Sequence, residues 1–177
     1  MALFALAAWL IVSNVVAGGP GQAGFADAGK TAASAQAPST AAQPFLVMTG
    51  KSMEETVREL QSDNKVKNLV SGAGVGCRVF IQHERDVSTS QAEVHDGTDD
   101  VFIIMEGSAT LTIGGKLDAP NQVQPGEWRS AAITGGKDFK VSKGDVIVVP
   151  RGTAHRRTSG AQEVTLMVVK SFALLEK

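Results

Sequence analysis

The chain has 177 residues, 43% of them hydrophobic, which is enough for one core-forming domain with extensions. Seventeen Lys and Arg against 18 Asp and Glu leave a net charge of −1, which argues against a nucleic-acid partner. Cys77 is the single cysteine, so an intramolecular disulfide and a cysteine-built zinc site are both excluded.

In chain order, residues 1–17 ("MALFALAAWLIVSNVVA") form an apolar run shorter than the roughly 20 residues that a membrane span requires. They end in small residues suited to cleavage, and the expectation is a signal peptide, with an uncleaved anchor as the alternative. A secreted or periplasmic protein with no membrane association after processing follows from the first reading. Residues 18–44 are rich in Ala, Gly, Ser and Pro, have almost nothing to bury, and read as a flexible linker. The folded domain is expected over 45–177.

Ser52 and Glu55 have capping-box spacing, and Met53, Val57 and Leu60 recur at helical intervals. This predicts one helix over 53–62, extending at most to Leu69. Gly72, Gly74 and Gly76 then read as a helix stop and loop, because a phosphate cradle would precede a helix and not follow one. Beyond Gly76 come short alternating segments: "CRVFIQHE", "SQAEVH", "DVFIIME", "SATLTI", "FKVS", "DVIVVP", "TAHRRTS" and "EVTLMVVKSF". Many short strands separated by turn signals, without intervening helices, predict an all-β antiparallel barrel or sandwich with one N-terminal helix.

Side chains alternate faces along a strand, so Gln91, Glu93 and His95 share one face, as do Asp100, Phe102 and Ile104. A hairpin turning at Asp96–Asp99 would bring two carboxylates and an imidazole to one rim of the barrel. Clustered acids resist ionisation unless compensated, and a divalent cation provides that compensation. "GDVIVVPRGTAHRRTS" supplies a second imidazole, His155, on the strand after a Pro150–Gly152 turn. Thr153, His155 and Arg157 share a face, which places Arg157 beside the metal candidates as a partner for a carboxylate or as the neutraliser of a rim acid. His83 shares parity with Val79 and Ile81 and is a further inward candidate. For Cys77 the reading is a small buried hydrophobe.

These residues resemble the cupin superfamily. Glu93-x-His95, four residues, Asp100, six residues, Gly107 follows the first cupin motif with Glu93 in place of its leading His and Asp100 in place of its Glu. Gly144, five residues, Pro150-x-Gly152, two residues, His155 follows the second, with Ser159 where an Asn is sometimes found. The resemblance implies a cupin-type double-stranded β-helix, or jelly roll, over about residues 76–170. It also implies a divalent metal held by Glu93, His95, Asp100 and His155. Such an oxygen-rich set suits Fe(II) or Mn(II) and accommodates Zn(II). The alternative is a triad of His95, Asp100 and His155, with Glu93 acting as a base. Catalytic roles fall to Glu93 and Arg157. The segment 114–137 between the motifs is expected to be a lid, or a hairpin against a second copy in a homodimer. Three function classes follow: a metalloenzyme acting on a small organic substrate, carboxylates included, of dioxygenase or isomerase/lyase type; a non-catalytic small-molecule or sugar-binding module; and a structural domain with a vestigial site.

Overall fold

The computed structural model describes residues 41, 44–72, 74–88 and 90–173, so the expected signal segment and most of the 18–44 linker lie outside the described residues. In order, the elements are α1 (Gly50–Leu60), β1 (Val66–Val70), β2 (Cys77–Arg85), β3 (Ala92–His95), β4 (Thr98–Ile113), β5 (Lys116–Leu117), β6 (Asn121–Gln124), β7 (Glu127–Ser130), β8 (Ile133–Thr134), β9 (Lys137–Ser142), β10 (Val146–Val149), β11 (His155–Thr158) and β12 (Glu163–Phe172). All strand pairings of the main sheet are antiparallel. No helix among the described residues is long and apolar enough to cross a membrane.

The strands form two layers that share one strand. In the first layer the order is β1-β2-β12-β4-β10, using the Thr98–Gly107 part of β4. In the second it is β9-β4-β11-β3-β7-β6, using Ser108–Ile113. Sequence periodicity predicts two strands here, separated by Gly107; the chain instead makes one bent strand. Gly107 has φ of 76° and lies against β12 so closely that a Cβ would stand 2.0 Å from the Glu163 carbonyl oxygen. Only glycine can take that conformation at that distance. The bend therefore depends on this residue.

Between the layers, Phe80, Phe102, Ile104, Ala109, Leu111, Val141, Val149, Val164, Leu166 and Val168 form the core. Each fully buried large side chain contributes ~1.5–3 kcal/mol. The opposite face of β2 carries Val79, Ile81 and His83, with Met53 of α1 near Val79 and Met167. His83 is therefore on the face away from Phe80, Gln82 and Glu84, which line the interior. Its Nδ1 pairs with Thr165 Oγ1 at 2.8 Å, and burial pulls the imidazole below its usual pKa. The inward reading of His83 is thus corrected.

Two further expectations are revised. Helix α1 begins one turn earlier than the 53–62 reading, because Thr49 is the N-cap and its Oγ1 accepts from Ser52 N–H at 3.2 Å. It also stops at Leu60, since Val66–Val70 pairs with the edge of β2 and becomes a strand. Satisfying the β2 backbone ladder outweighs the helical spacing of these residues. The glycines at 72, 74 and 76 consequently lie between β1 and β2, not at a helix end. Cys77 opens β2 as a half-buried free thiol.

Candidate metal centre

Glu93 and His95 stand on β3 and Asp100 on β4, but these strands do not form the expected hairpin. β3 pairs with β7 and β11, whereas the early part of β4 pairs with β12 and β10. The Asp96–Gly97 link therefore crosses from one layer to the other. Convergence survives because Asp100 points inward from the facing layer. Its neighbour Asp99 points outward and accepts from Arg151 N–H at 2.8 Å and Arg151 Nε at 3.0 Å. That clamp holds the turn at Pro150–Gly152, where Gly152 has φ of 76° and donates its N–H to the His95 carbonyl at 2.8 Å. The turn thereby sets His155 directly opposite Glu93 in the β11–β3 ladder. Ser159, at the variable end of the motif, is buried and accepts from Val87 N–H at 2.9 Å, closing the loop before β3.

Glu93, His95 and His155 each offer a ligand atom, all within 4.8 Å of one another. The two imidazole centroids are 5.2 Å apart. His155 Nε2 is 3.4 Å from Glu93 Oε1, and His95 Nε2 is 3.7 Å from Glu93 Oε2. Asp100 Oδ2 lies 3.4 Å from His95 Nε2 and 3.6 Å from His155 Nε2. Ligands sharing one ion through bonds near ~2.1 Å stand about 3–3.5 Å apart, so the spacing fits with small adjustments. Both rings are oriented from behind: Glu127 Oε2 is 2.7 Å from His95 Nδ1, and the Thr153 carbonyl is 3.0 Å from His155 Nδ1. Oxygen acceptors at both Nδ1 atoms put the protons there, leaving Nε2 to face the site, the arrangement typical of metal-ligating histidines. His155 Nε2 is buried without a hydrogen-bond partner among the described residues. An ion would satisfy it.

Electrostatics without an ion depend on internal pairing. Burial pushes Glu93 up, but His155, Arg129 and His95 more than offset it and hold the carboxyl at about 2. Burial likewise opposes ionisation of Asp100, yet His155, His95 and Lys170 keep its carboxyl well below the usual carboxylate range. For His155 burial disfavours the charged form, while Asp100 and Glu93 outweigh it and raise the imidazole to about 9.

The surrounding cavity is about 610 Å³. Arg157 enters it as predicted, but its guanidinium is bound bidentately by Glu84, with Nε at 2.8 Å and Nη2 at 2.6 Å. It also lies 5.2 Å from the centroid of Phe102, and Arg156 turns away toward the Ala131 carbonyl. Arg157 thus neutralises a wall acid. Within the segment 114–137, β6 and β7 extend the second layer, with β7 pairing to β3, and Val123, Gln124, Glu127 and Arg129 line the cavity wall. The segment delivers Glu127 opposite His95 and Arg129 opposite Glu93, where Arg129 Nη2 is 3.1 Å from Glu93 Oε2. Outside the cavity, Trp128 donates to Asp96 Oδ2 at 2.8 Å.

Sequence reasoning misses Glu84, Glu127, Arg129 and Lys170. Lys170 carries the clearest signal, since it shares strand parity with Leu166 and Val168 and so places a charge on an apolar inward face. Its Nζ is 2.8 and 2.7 Å from the two Asp100 oxygens and 3.0 Å from His95 Nε2. Nothing local marks Glu127, which reaches the site only through the pairing of β7 with β3.

No protein-family model matches the chain, and no curated protein matches it. Among solved structures, a protein from Bacillus halodurans is similar over 76% of this chain and 86% of its own, with 16% identity and a TM-score of 0.51. A cupin-like protein from Thermotoga maritima is similar over 60% of this chain and 66% of its own, with 16% identity and a TM-score of 0.43. An oxalate oxidase is similar over 55% of this chain and 42% of its own, with 19% identity and a TM-score of 0.39. The chain thus spans just under two thirds of the Thermotoga protein and less than half of the oxalate oxidase. At such identities the likeness concerns the path of the backbone, and the Bacillus halodurans match extends over most of both chains. Two antiparallel layers continuous through a bent β4, closing on a polar interior, are the fold this chain shares with the Bacillus halodurans protein.

Proposed function

We propose that the chain is a metal-dependent cupin that acts on a small organic carboxylate. The observation that carries this reading is the pair of imidazoles whose Nδ1 atoms are both engaged by oxygen and whose Nε2 atoms face a common space bounded by Glu93 and Asp100. His95, His155 and Glu93 would hold the ion. Bound Fe(II), Mn(II) or Zn(II) would supply Lewis acidity there, and the first two also redox chemistry of dioxygenase type. Glu93 is held by Arg129 and remains ionised, which suits a metal ligand better than a base, since a carboxyl held at about 2 accepts a proton weakly.

The carboxylate rests on Arg78. Its guanidinium lies 4.6 Å from the Phe80 centroid and donates to Asn68 Oδ1 at 2.8 Å, and it has no ion pair among the described residues. It lines the cavity with Phe80, Phe102 and Phe172. An uncompensated, stacked arginine at an apolar wall suits a carboxylate attached to a hydrophobic body. Export through the 1–17 segment remains part of the proposal, and N-terminal sequencing of the mature protein checks it.

The deciding experiment measures metal content after purification without added metal, followed by titration with Mn(II) and Zn(II). His155→Ala should lower affinity at least tenfold. Glu93→Gln should match that loss if Glu93 is a ligand, or retain metal while turnover falls if it is a base. Arg78→Ala should weaken binding of any carboxylate found by screening at least tenfold. Ligand binding without metal in the wild type would favour the non-catalytic module instead.

A further inference from the structure

The first coordination position that an ion would find beside Asp100 is filled by this chain itself. Lys170 extends from β12 across the β12–β4 ladder, where its Cα is paired with that of Asp100. Its ammonium contacts both Asp100 oxygens at 2.8 and 2.7 Å and stands 3.0 Å from His95 Nε2. The Asp100 side chain is 2% exposed and that of Lys170 is 20% exposed, so the pair is largely shielded from water. The contact to His95 is directed at the same Nε2 that would ligate an ion. A lysine ammonium is a compact cation with three donors, and here it satisfies a carboxylate and an imidazole together.

We infer that Lys170 is a resident cation that competes with a divalent metal for the Asp100–His95 side of the site, so that metal entry requires its displacement. This inference rests on the metal-centre reading above. Two physical consequences make it specific. A divalent ion bound to Glu93, His95 and His155 would stand within a few ångströms of the ammonium, and repulsion between two positive charges at that range is large in a poorly hydrated cavity. Displacement also frees Asp100, converting an acid already committed to Lys170 into a fourth ligand. The lysine therefore sets metal affinity and holds Asp100 in place when the metal is absent.

The test compares Mn(II) and Zn(II) affinity, by calorimetric titration, in wild type, Lys170→Met, Lys170→Gln, Lys170→Arg and His155→Ala, each with a thermal melt without metal. Lys170→Met and Lys170→Gln should bind at least tenfold more tightly than wild type, and the metal-free melting temperature of Lys170→Met should fall. A purely structural lysine would give the second effect without the first. Lys170→Gln retains a hydrogen bond to Asp100 and serves where Lys170→Met fails to fold. Lys170→Arg, which keeps the charge, should stay within about threefold of wild type. Metal binding by Lys170→Met or Lys170→Gln but not by wild type would support the inference in its strongest form. Unchanged or weaker binding in both neutral variants, with His155→Ala still impaired, overturns the lysine inference and leaves the metal centre standing. Absence of binding in every variant overturns both.

Discussion

The apolar flank of the interior and its polar flank lie between the same two layers, yet they are stabilised in opposite ways. Where β4 bends past β9, β10 and β12, Ile104, Leu111, Val141, Val149, Val164 and Leu166 pack without polar partners. Toward β2, β3, β7 and β11, the inward positions carry Glu84, Glu93, His95, Glu127, Arg129, His155 and Arg157. Strand β4 passes from one regime to the other along a single face, from Asp100 through Phe102 to Ile104. On the apolar flank stability comes from non-directional burial, which tolerates exchange of similar shapes. On the polar flank each buried charge requires a particular partner, and loss of one leaves another uncompensated. The first flank forms the scaffold, and the second can be rearranged by a ligand or ion.

Substitutions can break this division in graded steps. The largest effect is expected at Gly107, where an added methyl group would meet the Glu163 carbonyl and the backbone would be held in a left-handed conformation. Gly107→Ala should cost more than ~4 kcal/mol in urea denaturation, in the range reserved for severe backbone and packing conflicts. A cost below ~1 kcal/mol would show that the bend does not depend on glycine.

Arg157→Ala probes the polar flank. It strands Glu84, whose side chain is 12% exposed and whose other hydrogen bond comes from Gln82 Nε2 at 2.8 Å. The expected loss is about 3 kcal/mol, the usual consequence of breaking a buried pair from one side. The double variant Arg157→Met with Glu84→Leu should recover most of it, whereas an additive loss would mean that the pair is not the unit of stability.

Glu127→Gln should leave the fold intact but weaken Zn(II) binding by about tenfold, because an amide orients His95 less strongly than a carboxylate. Equal affinities in the two proteins would remove Glu127 from the metal site.

The mildest test is pH, applied to metal-free protein. Glu93 is held at about 2 against an ordinary 4.5, so its stabilisation is complete above 4.5 and is lost as pH falls toward 2. His155 is raised from 6.5 to about 9, so its contribution is complete below 6.5 and is lost as pH rises through 9. Thermal stability should therefore be highest between about 4.5 and 6.5 and decline on both sides. Glu93→Gln should flatten the acid side and His155→Ala the alkaline side. Identical profiles in all three proteins would rule out these groups as its origin.

Much of this architecture is legible in the chain because it follows local rules. Strand alternation places Asp100 and Phe102 inward, and Pro150 and Gly152 mark the turn that carries His155. Periodicity also brings Arg157 into the cavity. Local rules fail where a distant strand decides: helical spacing near Val66 yields to pairing with β2, and the apparent Glu93–Asp100 hairpin is a crossing between layers. What the sequence determined by itself was the antiparallel all-β class and the residue types that converge, since alternation and turn chemistry act between neighbours in the chain. Tertiary structure alone decided which charges meet: Glu127 with His95, Glu84 with Arg157, and Lys170 with Asp100. Those pairs join residues 32, 73 and 70 positions apart, and their energies depend on mutual burial that no local pattern records.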